Sequence, residues 1–131
     1  MAVENQPDTM FAGNRHVLRW NSITNDGGTI LDLTGRVVKF ALTQLSSAGV
    51  PLATPLLSFS SGGASPQVTI PNPSTGTPHV LVELLPADTA TLAARSTVYY
   101  GELEVFEGSS PTNPVVVATI LLTIKPNVSN P

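Results

Sequence analysis

Two histidines and a serine-rich loop are the residues that could carry acid–base or nucleophilic chemistry in this chain of 131 residues. His16 lies in the stretch RHVLRWNS and His79 follows the loop NPSTGTP. We expect each to be an exposed or half-buried sheet residue rather than a general base. The segment SSGGAS lacks the strand, turn and helix that present a nucleophilic serine, and its glycines lack the lysine of a phosphate loop. These residues therefore predict no catalytic site.

The carboxylates that lie nearest to one another along the chain are Glu102, Glu104 and Glu107. In a strand, Glu102 and Glu104 share one face, which is the usual place for solvated charge rather than for a pair of general acids. Asp26 and Asp32 lack the alternating carboxylates of a calcium loop, the histidines lack zinc-ligand spacing, and the chain has no cysteine. The sequence predicts no metal site, no cofactor and no enzymatic activity.

Apolar residues recur with a period of two along most of the chain, which predicts strands. The only helical candidate is the short stretch PADTATLAA, in which Pro86 and Asp88 suit a helix start. About seven to eight short strands at roughly ten-residue spacing predict an all-β, antiparallel β-sandwich with one short helical turn. The residues grouped on one strand face by the alternation are Leu18 and Trp20; Val38, Phe40 and Leu42; Val80, Val82 and Leu84; and Tyr99, Gly101, Leu103 and Val105.

Two stretches carry a family resemblance: DLTGRVVKFAL, from Asp32 to Leu42, and LPADTATLAARSTVYYGELEVFEG, from Leu85 to Gly108. A turn running into a strand, an Asp-Thr corner and a tyrosine-rich strand resemble the immunoglobulin-like modules of tailed-bacteriophage structural proteins, including the N-terminal domain of baseplate upper proteins. The resemblance covers Arg15 to Ile124 and departs from the family at Arg95 to Thr97, where a glycine is common. It implies an immunoglobulin-like sandwich in a virion component without enzymatic activity.

The predicted corner contains four residues to which we assign a structural role. Asp88 and Thr89 are expected to hydrogen-bond nearby backbone groups, as residues of these types do at helix caps. Tyr99 or Tyr100, at the start of the next strand, is expected to tie its hydroxyl back to the corner, as immunoglobulin-like folds often do.

No charged side chain occurs between Phe40 and Val82. Solitary sandwich proteins protect their edge strands with lysines, inward charges or covers, so this segment predicts a contact surface with Ser58, Ser60 and Thr69 as interface candidates. The alternative is that the prolines of the segment block edge pairing while hydroxyl groups solvate the rest.

The chain ends are predicted to be a polar N-terminal arm over residues 1–12 and a tail over residues 125–131, on either side of one sandwich domain at 13–124. The arms are rich in polar residues and proline, so we expect no strand in them and expect the N-terminal arm to contact a neighbouring subunit. Met1, Asn5 and Met10 are its interface candidates.

Composition and charge restrict the partners. Charged residues are 11% of the chain and only six residues are Lys or Arg, so no basic stripe could follow a row of phosphates, and nucleic acid is not an expected partner. The longest apolar run, VVVATILLTI, is about half a membrane span, and MAVENQPDTM lacks the pattern of a secretory signal. We expect synthesis in the host cytoplasm, assembly into a virion and no membrane partner.

These observations favour a virion structural protein that binds a repeated lattice in many copies, as a homo-oligomer or with capsid or tail proteins. A capsid decoration or accessory subunit is the first expectation, and a tail, neck or baseplate adaptor is the alternative. A carbohydrate-binding adhesion module is the alternative from another class. It requires exposed aromatic rings, so an exposed Trp20 together with either tyrosine would favour it.

Overall fold

The computed structural model describes residues 3–24, 28–62, 66–90, 92, 97–106 and 115–126, and for residues 3–7 it describes the backbone alone. These residues form eight strands and one short helix. The elements are β1 (Val3–Phe11), β2 (His16–Trp20), β3 (Val37–Gln44), β4 (Leu57–Ser60), β5 (Val68–Thr69), β6 (Val80–Leu84), α1 (Pro86–Thr89), β7 (Thr97–Phe106) and β8 (Val115–Lys125).

The strands form two sheets, a five-stranded sheet in the order β1-β8-β7-β3-β4 and a three-stranded sheet in the order β2-β6-β5. The second order corresponds to strands B-E-D of the immunoglobulin fold, and β8-β7-β3 corresponds to G-F-C. Strand β4 extends the larger sheet where variable-type domains place their additional strands. The expected all-β sandwich is confirmed, and every strand pair is antiparallel except β1 with β8, which is parallel.

The core lies between the two sheets and is built from the inward positions of the alternating strands. Trp20 and Phe40 meet there with ring centroids 6.2 Å apart, and Phe40 stacks on Phe59 at 6.4 Å. Gly101 of β7 makes room for Phe40, because a Cβ at this position would lie 2.8 Å from Cε1 of that ring and 2.7 Å from Cγ2 of Ile120. The predicted inward faces are confirmed, since the named apolar residues of β2, β3, β6 and β7 are all buried.

The Asp-Leu-Thr-Gly turn leads into β3 as predicted. Oδ1 of Asp32 accepts a hydrogen bond from the Thr34 amide at 3.0 Å, and the Arg36 amide donates to the Leu33 carbonyl at 3.0 Å. Hydrogen bonds from Thr34 hold the pKa of the Asp32 carboxyl below its usual value. Gly35 has a φ of +72°, a conformation that favours glycine.

The expectation that residues 1–12 contain no strand is wrong. Strand β1 lies beside β8 in a parallel register that runs from Pro7 opposite Leu121 to Phe11 opposite Lys125. Backbone hydrogen bonding to an open sheet edge does not require an apolar sequence, so a polar segment can form such a strand. Met10 is 3% exposed and belongs to the core. At the other end, β8 continues to Lys125, and residues 127–131 of the predicted tail lie outside the described residues.

Candidate interaction surface

The uncharged segment supplies β4 and β5, which lie at one edge of each sheet. We call the loop Val50–Leu56 together with β4 and β5 the uncharged edge. Ser58 lies opposite Ala41 and Ser60 opposite Lys39, so both serines belong to the outer face of the five-stranded sheet. Thr69 is exposed beside the buried Val68 and therefore belongs to the outer face of the three-stranded sheet. The structure brings Ser58 and Ser60 together and places Thr69 on the opposite face.

The free side of β4 offers backbone groups for strand pairing. The amide of Ser61 donates to the Val38 carbonyl at 2.9 Å, which sets the phase of the antiparallel ladder. Because hydrogen-bonded positions alternate along an antiparallel strand, the backbone N–H and C=O groups of Phe59 also point towards β3. Those of Ser58 and Ser60 point away from β3, towards the open edge of the sheet. Strand β4 contains no charge and no proline, so its main protection against pairing is its length of 4 residues.

The loop Val50–Leu56 is exposed at every position, and Thr54 is its only polar residue. Val50, Leu52 and Leu56 are 58%, 45% and 41% exposed. Successive exposed apolar side chains of this kind mark interaction sites more often than isolated ones do.

Hydrogen bonds fix the backbone of this apolar loop. The Leu52 amide donates to the Gln44 carbonyl at 2.9 Å, and the Leu56 amide donates to the Leu42 carbonyl at 2.7 Å. The buried Thr43 hydroxyl lies 3.0 Å from the carbonyl oxygens of both Leu52 and Thr54. Because the loop is already ordered, a partner that binds it has little conformational entropy to remove.

An open groove of about 200 Å³ lies between this loop and the outer face of the five-stranded sheet. Ala41 and Thr43 line it from β3, and Tyr100, Glu102 and Glu104 line it from β7. The loop contributes the other wall through Pro51, Leu52, Ala53 and Pro55. Glu102 lies between Ala41 and Thr119 on the neighbouring strands, whereas Glu104 lies opposite Lys39. Neither glutamate is in an ion pair with another described residue. The expected solvated face of β7 is therefore one wall of a groove.

Three of the four predicted corner residues, Asp88, Thr89 and Tyr99, make hydrogen bonds at the corner. Oδ2 of Asp88 accepts hydrogen bonds from the Leu85 amide at 2.7 Å and from the Gln67 side chain at 2.8 Å. Oγ1 of Thr89 accepts one from the Gly13 amide at 3.0 Å.

Tyr99 provides the third corner contact by donating its hydroxyl hydrogen to the Leu92 carbonyl. Burial raises the pKa of the Tyr99 phenol. Tyr100 faces the groove on the other side of the sheet, so of the two candidate tyrosines only Tyr99 makes the corner contact.

The two histidines have different environments. Nε2 of His16 lies 2.9 Å from Oδ2 of Asp8, and the ring is half-buried as expected. The expectation that His79 is exposed or half-buried is wrong, because it is 0% exposed. Its Nδ1 accepts a hydrogen bond from the Ile23 amide at 3.0 Å, and its Nε2 lies 3.1 Å from the Pro73 carbonyl, to which it donates. With both nitrogens bound to backbone, His79 has no nitrogen available for a substrate.

Trp20 and Tyr99 do not form an exposed aromatic platform. Trp20 and Tyr99 are each 1% exposed, so the condition that would favour a carbohydrate-binding module is not met by these two residues. The buried Trp20 Nε1 has no hydrogen-bond partner among the described residues. Trp20 is therefore a core residue with one unsatisfied donor, a combination that lowers its net contribution to stability.

The remaining interface candidates do not form a surface with the serines. Met10 is buried, which removes it as a contact residue. Met1 and the side chain of Asn5 lie outside the described residues, although the Asn5 backbone belongs to β1. Strand β1 lies at the edge of the five-stranded sheet opposite to β4, so the N-terminal segment is remote from the uncharged edge.

Among the described residues, no group of three or more His, Cys, Asp or Glu could hold a metal ion. No helix in the same part of the chain is long and apolar enough to cross a membrane. No protein-family model matches the chain, and no curated protein is significantly similar to it.

Proposed function

We propose that this protein is a non-enzymatic structural subunit of a bacteriophage virion that binds a repeated lattice of capsid or tail proteins through its uncharged edge. The observation that carries the proposal is the ordered, exposed and almost entirely apolar loop Val50–Leu56 beside a short edge strand without charge or proline. The resemblance of Asp32–Leu42 and Leu85–Gly108 to phage structural modules supports the virion as the location. Binding of many copies would stabilise the assembled particle by mass action.

The low charge of this surface suits a permanent contact between proteins. Burying it against a partner does not require the removal of water from ions, which costs several kcal/mol for each unpaired charge. Apolar side chains at the centre of an interface supply most of its binding free energy. The uncharged edge therefore provides what a lattice contact needs without any ligand or chemical step.

Lysine substitutions on each face of the sandwich test this proposal. Ser58→Lys and Thr69→Lys place a charge on the two outer faces of the uncharged edge, and Thr9→Lys at an exposed position of β1 is the matched control. All three variants are expected to unfold within about 0.5 kcal/mol of the parent, as surface substitutions do. Incorporation into particles, measured by quantitative immunoblotting of purified virions, should fall at least about tenfold for Ser58→Lys, since one buried unpaired charge costs more than 1.4 kcal/mol.

The copy number in purified particles separates the two virion locations. Hundreds of copies would place the subunit on the capsid, and about a dozen or fewer would place it in the tail, neck or baseplate. Absence of the protein from purified virions would refute the proposed function. Full incorporation of both uncharged-edge variants would refute the assignment of the contact surface, and an equal defect in Thr9→Lys would show that added charge alone is responsible.

A further inference from the structure

The groove beside the loop Val50–Leu56 has a size and a charge that define what it can bind. Its volume of about 200 Å³ is below the range of roughly 300–1,000 Å³ that is usual for small-molecule pockets. Space of this size accommodates side chains of a protein segment rather than a whole metabolite. The groove is also partly open to solvent, so side chains of a bound segment can enter it from the surface.

The two walls of the groove differ in chemistry. Pro51, Leu52 and Pro55 make the loop wall apolar, whereas Glu102 and Glu104 make the β7 wall acidic. Glu102 has uncharged neighbours on both adjacent strands, Ala41 and Thr119. Among the residues that the structure describes, no basic side chain lines the groove.

Lys39 is the basic residue nearest to this wall in the sheet register, since it lies opposite Glu104. Its ammonium group is 4.9 Å from the centroid of the Phe106 ring, where it makes a cation–π contact. Neither neighbour of Glu102 in the sheet therefore carries a positive charge that could compensate its carboxylate.

We propose that the groove binds an extended partner segment in which basic and apolar residues alternate. In such a segment, side chains alternate between two sides and repeat about every 6.6–7 Å, which is also the spacing of Glu102 and Glu104 along β7. Lysine or arginine side chains would then face the glutamates while the intervening apolar side chains contact Leu52 and the two prolines. The proposal rests on the proposed function, because it names the partner chemistry for the same surface.

Defined peptides test the groove in solution. The probe is acetyl-Lys-Leu-Lys-Leu-Lys-amide, titrated into the full-length ¹⁵N-labelled protein and followed by amide chemical shifts. Saturable shifts are expected at Ala41, Leu52 and Glu102. Acetyl-Glu-Leu-Glu-Leu-Glu-amide should cause no saturable shift, and acetyl-Lys-Lys-Lys-Leu-Leu-amide, which has the same composition without alternation, should bind at least threefold more weakly.

Two variants and one control identify the contacts. Glu102→Gln and Leu52→Ser should each weaken binding of the alternating lysine peptide about three- to tenfold, as loss of one partly exposed contact does. Asp32→Asn removes an exposed carboxylate outside the groove and should leave the affinity unchanged. No saturable binding of the lysine peptide, equal binding of the acidic peptide, or equal weakening by Asp32→Asn would each overturn the proposal.

The experiments distinguish a wrong groove proposal from a wrong proposal of virion function. If the peptide does not bind but Ser58→Lys still prevents incorporation into particles, the groove proposal is wrong and the proposed function stands. If the peptide binds as expected but the protein is absent from purified virions, the groove is a binding site and the virion function is wrong.

Discussion

His79 is expected to be the polar residue whose loss destabilises this domain most. The imidazole is fully buried and joins two segments that are distant in sequence, because it accepts from the Ile23 amide and donates to the Pro73 carbonyl. The Pro73 carbonyl also accepts a hydrogen bond from the Leu33 amide at 3.0 Å. Removing the ring would therefore leave the Ile23 amide as the group without a partner.

The magnitude for His79→Ala follows from two terms. A buried amide without a partner costs about 1–3 kcal/mol. The space left by the ring adds about 1–2 kcal/mol, since cavities cost about 24 cal/mol per Å³ and surrounding side chains collapse only partly. The total of about 2–5 kcal/mol is a large fraction of the roughly 5–15 kcal/mol that stabilises a typical domain. It corresponds to a fall in melting temperature of about 7–18 °C.

Two conservative variants test which hydrogen bond matters. His79→Asn can place its side-chain oxygen near the position of Nδ1 and accept from Ile23, whereas His79→Gln can reach only towards the Pro73 carbonyl. Urea unfolding followed by circular dichroism at pH 7 should give stabilities in the order parent, Asn, Gln, Ala. A loss below about 1 kcal/mol for His79→Ala, or a Gln variant more stable than the Asn variant, would refute the reasoning.

Three further predictions concern the core, the first strand and the corner. Gly101→Ala should lower the free energy of unfolding in urea by about 1–3 kcal/mol, because the added methyl group would overlap the Phe40 ring. The control Val98→Ala, on the exposed face of β7, should lower it by less than about 0.5 kcal/mol. Similar losses for the two variants would contradict this packing. Deleting Met1 to Met10 should lower the melting temperature by several degrees. The deletion removes the backbone hydrogen bonds between β1 and β8 and the burial of the Met10 side chain, which contributes about 1.5–3 kcal/mol. An unchanged melting temperature would show that β1 does not stabilise the domain. Because the pKa of Tyr99 is raised in the folded state, the folded protein keeps the phenol proton above the ordinary pKa of 10.0. The stabilisation that results from this shift is complete below about pH 10 and declines as the pH rises further. Tyr99→Phe should make the decline above about pH 10 shallower, and parallel pH profiles for the two proteins would contradict the assignment.

The parts of the fold that sequence could predict are those encoded by local pattern. Alternation in β2, β3, β6 and β7 identified which side chains face the core because a strand places every second residue on the same face. The Asp-Thr corner was equally predictable, since Asp88 contacts an amide only three residues away. Strand β1 was missed because its residues show no alternation, and its pairing depends on the open edge of β8, which is distant in sequence.

The candidate surface was predicted only in part for the same reason. The absence of charge pointed to the edge strands, and the structure places two of them there. The groove was not predictable, because it forms where the Val50–Leu56 loop approaches Glu102 on a strand about fifty residues later in the chain. The burial of His79 likewise depends on Ile23, which no local pattern connects with it.

The parallel pairing of β1 with β8 has a mechanical consequence. Because the two strands run in the same direction, the start of β1 and the end of β8 lie at opposite ends of the sandwich. A force that pulls the chain apart at Val3 and Lys125 would load the backbone hydrogen bonds between Pro7 and Phe11 and their β8 partners in shear. Bonds loaded in this direction share the force and must rupture together, whereas the bonds of a peeled hairpin break one at a time. A load applied between Val3 and Lys125 would therefore be opposed by the paired residues of β1 and β8 together.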